Sequence, residues 1–118
     1  MNILVLDDDP ILAMVLADHL AELGHRVVPA YDGNLAANFC ESKDFDLVLV
    51  DFVLPKLDGL DVLERLRNKN SSARAIIITG FPELLQKESD RLAGLGVDAV
   101  IEKPFSFSKI DELVEAYA

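Results

Sequence analysis

A single cysteine, Cys40, leaves this chain unable to form an intrachain disulfide or a cysteine-only metal cluster. A lone thiol suits a reducing compartment, so a cytoplasmic location is expected. Positive charge is scarce: 11 basic side chains stand against 21 acidic ones, a formal net charge of −10. That sign argues against direct nucleic-acid binding and against an anionic membrane, and leaves proteins and cations as the expected partners. No apolar run approaches the roughly 20 residues that a bilayer-spanning helix needs. Asp7, Asp8 and Asp9 would interrupt any secretory signal, and neither low-complexity segments nor fixed-period repeats occur.

What the chain does have is apolar residues spread evenly along its 118 positions, which predicts one domain, 1–118. Short apolar runs at 3–6, 27–28, 47–50, 75–78 and 99–101 read as strands, several of them apolar throughout and so buried on both faces. Helical spacing fills the intervals. Asp9 and Pro10 open a helix along Leu12, Leu16, Leu20 and Leu23 that Gly24 can close. Ile11, Met14 and Val15 lie mostly off that face and either stay exposed or widen the buried stripe. Leu35 and Phe39 mark a second helix. After Pro55, Asp58 is suited to cap a third along Leu60, Leu63 and Leu66. Leu84, Leu85, Leu92 and Leu95 predict a fourth, weakened and stopped by Gly94 and Gly96. Ser106 or Ser108 can cap a last helix with Ile110, Leu113 and Val114 on its apolar stripe.

Strands alternating with helices predict an α/β fold, a five-stranded parallel sheet with helices on both faces. The carboxyl ends of parallel strands share one edge, so Asp7, Asp8, Asp51, Thr79 and Lys103 are expected to converge there. Close carboxylates repel by roughly 4 kcal/mol per pair at an effective dielectric near 20. A divalent cation relieves this, and all-oxygen ligation suits Mg²⁺ or Mn²⁺. Zinc would want His or Cys, whereas His19 and His25 read as isolated surface residues away from this edge. Thr79, Lys103 and the backbone N–H of Gly80 could then bind phosphoryl oxygens.

These residues resemble the receiver domains of two-component response regulators. The likeness runs from Ile3-Leu4-Val5-Leu6-Asp7-Asp8 through Val50-Asp51 and Pro55…Asp58-Gly59 to Thr79-Gly80 and Lys103-Pro104-Phe105. It implies a doubly wound, flavodoxin-like sheet of strand order 2-1-3-4-5. It also implies that Asp51 takes a phosphoryl group from a histidine kinase or phosphotransfer protein, that Asp7, Asp8, Asp51 and the Val53 carbonyl hold Mg²⁺, and that Lys103 and Thr79 bind the phosphoryl group. On this reading the domain is no enzyme: it switches a surface for a downstream output protein or domain, or for a phosphorylation-dependent dimer. The resemblance further implies that the positions two after the phosphoacceptor and two after the threonine, here Val53 and Phe81, flank the line of water attack; neither can orient a water, which predicts a long-lived phosphoryl group. Two departures stand out. Many family members have Tyr or Phe where this chain has Val100, and the segment between the fourth strand and Lys103 is slightly long.

A rival reading takes Asp7-x-Asp9 as the nucleophile motif of a haloacid dehalogenase-like phosphatase, with Asp7 as nucleophile. It needs a further acidic pair at a strand end after Lys103, where only Asp111-Glu112 is available, and it leaves Asp51 without a role. A flavodoxin-like electron carrier fits less well, because acids after the first strand would repel a flavin phosphate.

Overall fold

The computed structural model describes residues 1–69 and 72–117. Five strands alternate with six helices: β1 (Asn2–Leu6), α1 (Pro10–Glu22), β2 (Arg26–Ala30), α2 (Gly33–Ser42), β3 (Leu47–Asp51), α3 (Gly59–Asn68), β4 (Arg74–Thr79), α4 (Pro82–Gln86), α5 (Ser89–Gly94), β5 (Ala99–Glu102) and α6 (Phe107–Tyr117). The sheet order is β2-β1-β3-β4-β5 and every pairing is parallel, as expected from the sequence.

Because side chains alternate across a strand, each apolar run feeds two cores. Ile3, Val5, Leu47, Leu49, Ile76 and Ile78 face α1 and α6, meeting Leu16, Leu20, Ile110 and Val114. Leu4, Leu6, Val48, Val50 and Ile77 face the other way, onto Leu60, Leu63 and Leu66 of α3. This explains why the central strands read as unbroken apolar runs instead of alternating ones.

Local chemistry sets the helix starts. Asp9 Oδ1 accepts hydrogen bonds from the N–H groups of Ile11 (3.0 Å) and Leu12 (3.3 Å), with Pro10 in the first turn. Ser106, of the two serines considered, caps α6: its Oγ accepts from the Lys109 N–H at 3.3 Å. Gly24 ends α1 at φ 96, a left-handed conformation.

Three expectations need correction. Leu23 is 52% exposed, because α1 ends before it and the leucine face closes at Leu20. Strand β2 runs past Val28 and includes Pro29, which an edge strand accommodates because one side of its ladder has no partner. The predicted fourth helix is two short ones, α4 and α5. Six consecutive polar residues, from Gln86 to Arg91, give the middle of that segment nothing to bury, so no apolar contact holds the intervening turn on the sheet.

Candidate acidic phosphoryl site

The three strands β1, β3 and β5 end side by side or one strand apart, and each delivers a charged group to the same edge. Asp7 and Asp51 are 2% and 5% exposed, while Asp8 faces solvent. One carboxylate oxygen from each of Asp7, Asp8 and Asp51 can be chosen so that all lie within 4.8 Å of one another. Lys103 Nζ donates to Asp7 Oδ2 and to Asp51 Oδ2, each at 3.0 Å, so one ammonium is shared between two buried carboxylates 44 positions apart in sequence. The remaining oxygens are oriented by backbone: the Asp9 N–H donates to Asp7 Oδ1 at 2.9 Å, and the Val53 N–H to Asp51 Oδ1 at 3.3 Å.

Thr79 ends β4 with its side chain fully buried, and its Oγ1 accepts a hydrogen bond from the Phe81 N–H at 2.9 Å. Its carbonyl accepts from the Lys103 N–H at 2.8 Å, which ties β4 to the base of the lysine. Gly80 follows at the surface, where an added Cβ would make only ordinary contact, 3.9 Å from Lys103 Cβ. The expected residues therefore share one edge, with Asp7, Asp51 and Lys103 in direct contact, Thr79 tied to Lys103 through the backbone and Gly80 next to Thr79.

The charges do not balance. Burial pushes the Asp51 carboxyl above its ordinary value; the Lys103 hydrogen bond opposes this, and the Asp7 charge adds to it. Burial alone would lower the Lys103 ammonium, but its hydrogen bonds to Asp51 and Asp7, with their charges, outweigh that and raise it. An isolated ion pair would move its acid down and its base up. Here the acid also moves up, because a single ammonium cannot compensate for both desolvation and a neighbouring carboxylate. The residual negative charge and all-oxygen donor set fit a hard divalent cation.

Other features were not expected from sequence. His19 is not isolated: its Nε2 lies 2.6 Å from Asp111 Oδ1, and its ring stacks on Phe107 at 4.3 Å, joining α1 to α6 across 92 positions. His25 Nδ1 sits 3.0 Å from the terminal nitrogen of Met1. Beside Lys103, a groove of about 450 Å³ is lined by Leu12, Pro104, Phe105 and Phe107. On the opposite face Arg91 of α5 reaches Asp58 and Asp61 at the start of α3. The Asp58-x-x-Asp61 spacing was the available signal for that cluster, though nothing in sequence pointed to Arg91.

Comparison with known proteins agrees with this geometry. The family described as response regulator receiver domain matches residues 3–115. The transcriptional regulatory protein PhoP for alkaline phosphatase synthesis of Bacillus subtilis is 34% identical over 98% of this chain and 47% of its own length. The sensor histidine kinase RcsC of Escherichia coli is also 34% identical, over 100% of this chain and 12% of its own. Across the first three curated relatives the chain spans 46%, 37% and 47% of the relative's length, about half or less. Among solved structures, the response regulator TrrA of Thermotoga maritima, in complex with Mg²⁺-BeF, superposes with a TM-score of 0.82 at 29% identity, covering 99% of this chain and 98% of that one. The phosphatase reading gains no support: Asp111 pairs with His19 inside α6, Glu112 faces solvent, and Asp51 is bound into the acidic cluster. With the fold, the order of its motifs and the matched span in agreement, the chain belongs to the response regulator receiver domain family of two-component signalling.

Proposed function

We propose that Asp51 is the phosphoacceptor, and that Asp7, Asp8, Asp51 and the backbone carbonyl of Val53 hold Mg²⁺, with Mn²⁺ as a substitute. The observation carrying this reading is Lys103 Nζ bridging Asp7 and Asp51 at 3.0 Å each, beside a third carboxylate. A bound divalent cation supplies the positive charge that three carboxylates and a phosphoryl group together require. One oxygen of Asp51 bonds to phosphorus as the phosphorus–nitrogen bond of a donor phosphohistidine breaks, the imidazole keeping the electron pair. The Lys103 ammonium, held charged by its neighbours, exchanges Asp51 for a phosphoryl oxygen. The Thr79 hydroxyl, whose oxygen already accepts from Phe81, has its own proton to donate, and the Gly80 N–H adds a second donor.

The donor is a histidine kinase or phosphotransfer protein. Ile11, Met14 and Val15 are 73%, 53% and 44% exposed on α1, off its buried face, and suit a docking phosphotransfer helix. The product signals to a downstream output protein or domain, with a phosphorylation-dependent dimer as one form, and involves no direct nucleic-acid or membrane binding by these residues. Among the described residues no helix is long and apolar enough to cross a membrane, and a cytoplasmic location fits this role. The domain acts as a signalling phosphoacceptor, its Mg²⁺-dependent self-phosphorylation and self-dephosphorylation being its own chemistry. Treatment with acetyl phosphate and Mg²⁺, followed by mapping of the acyl phosphate, tests this. Label on Asp51 is expected; label on Asp7 would restore the phosphatase reading.

A further inference from the structure

One side chain of α5, Arg91, meets four carboxylates. Its Nη1 lies 3.2 Å from Asp58 Oδ2 and 3.6 Å from Glu88 Oε2, and its Nη2 lies 2.9 Å from Asp61 Oδ1 and 3.8 Å from Glu64 Oε2. Asp58 and Asp61 form the reciprocal capping box that starts α3. Their oxygens are divided between two tasks. Asp58 Oδ1 accepts from the Asp61 N–H at 2.8 Å and Asp61 Oδ2 from the Asp58 N–H at 3.0 Å, which leaves the other oxygen of each for the guanidinium.

The turn so held bears directly on the phosphoacceptor strand. The Gly59 N–H donates to the Phe52 carbonyl at 2.7 Å. A Cβ on Gly59 would overlap the Asp51 carbonyl oxygen and come within 2.9 Å of Val50 Cγ1. Only a residue without a side chain lets α3 begin this close to the end of β3. We infer that Arg91 is a positioning residue for Asp51: by fixing the capping box it fixes Gly59 against β3, and so couples the α5 segment to the acidic site. Loosening the box frees Gly59 and the end of β3 to shift, so losing the Arg91 contacts is expected to change how tightly the site binds. The inference rests on the reading of Asp51 as a cation-assisted phosphoacceptor.

The test measures Mg²⁺ affinity, and beryllofluoride affinity in saturating Mg²⁺, by amide NMR for the parent, Arg91→Gln, Asp61→Asn and the double variant. Arg74→Gln, which breaks a 3.2 Å ion pair to Asp98 at the opposite end of the sheet, serves as control. Partly exposed ion pairs are individually modest, so Arg91→Gln is expected to weaken both Mg²⁺ and beryllofluoride binding about three- to fivefold. The double variant should lose no more than the larger single one, because both remove the same contact. The control should match the parent. Through-space charge would act otherwise: removing a cation from an acidic domain would tighten Mg²⁺ binding while weakening that of the anionic beryllofluoride, so the Mg²⁺ affinity separates the two explanations. Unchanged or tighter Mg²⁺ binding in Arg91→Gln, whatever happens to beryllofluoride, or additive losses in the double variant, overturns the inference. Failure of the parent to bind either probe overturns the functional reading itself, which keeps the two failures separate.

Discussion

Helix α3 and the α4–α5 segment cover the same face of the sheet but are held in different ways. In α3, Leu60, Val62, Leu63 and Leu66 are buried and the first turn has a complete capping box. Leu85 is the buried side chain of α4, α5 has none, and neither start has a side-chain cap among the described residues. Apolar burial holds the first and polar contacts to a neighbour hold much of the second. Segments with few buried apolar contacts open at the lowest cost, and switching elements are drawn from them. The segment that follows Thr79 is therefore held by less apolar burial than α3 and opens at lower cost.

The sharpest way to break the contrast is to remove the proposed phosphoacceptor. Asp51→Asn should abolish labelling by acetyl phosphate and, with it, any phosphorylation-dependent change in amide exchange across α4 and α5, while exchange in α3 stays as in the parent. Exchange changes that persist in this variant would sever the segment from Asp51. Next in size is a pair of truncations. Leu63→Ala should cost about 2–5 kcal/mol, as a buried leucine in a packed core does. Leu84→Ala, at an exposed position of α4, should stay within about 0.5 kcal/mol in the same urea titration. Comparable losses would mean that the two coverings are anchored alike.

A smaller effect concerns the lifetime of the phosphoryl group. Val53 and Phe81 are both exposed beside the site, and neither side chain can orient an attacking water. Val53→Asn combined with Phe81→Glu should speed loss of phosphate by roughly tenfold, equivalent to ~1.4 kcal/mol of barrier. Following decay after donor removal measures it, and an unchanged rate would remove the flanking side chains from the explanation. The smallest effect should appear in metal-free buffer. The folded Asp51 carboxyl is raised above its ordinary value of 3.8, so its ionisation costs stability. That cost is absent below the unfolded value, grows as pH rises through it, and is complete above the folded one. Asp51→Asn should therefore melt higher than the parent at neutral pH, the gap closing as pH falls toward 4. A parent that melts higher at neutral pH would show that the Lys103 contact outweighs burial.

The strand order and the converging edge were legible because they depend on features repeated along the chain: apolar runs, the polar groups that end them, and caps such as Asp9 and Asp58. Contacts between elements were not. Whether His19 meets Asp111, or Arg91 meets Asp61, depends on how each helix is rotated and seated on the sheet, and over sequence separations of 92 and 30 the chain carries no local trace of that. The break between α4 and α5 lay in plain view as a polar run, yet leucine spacing on either side of it suggested continuity. Spacing reports which face is apolar. It does not report whether the middle turn has anything to bury.

Pro29 has a consequence for the protein in a crowded cell. Any open sheet ends in strands whose unpaired backbone groups can recruit a strand from another molecule. On one margin of this sheet, β2 presents a residue that has no N–H to offer an incoming chain. On the other, β5 is four residues long and ends in the charged Glu102. Both margins are poor templates for edge-to-edge growth, so a domain with a strongly apolar sheet can be kept at high concentration without seeding fibrils through its own edges.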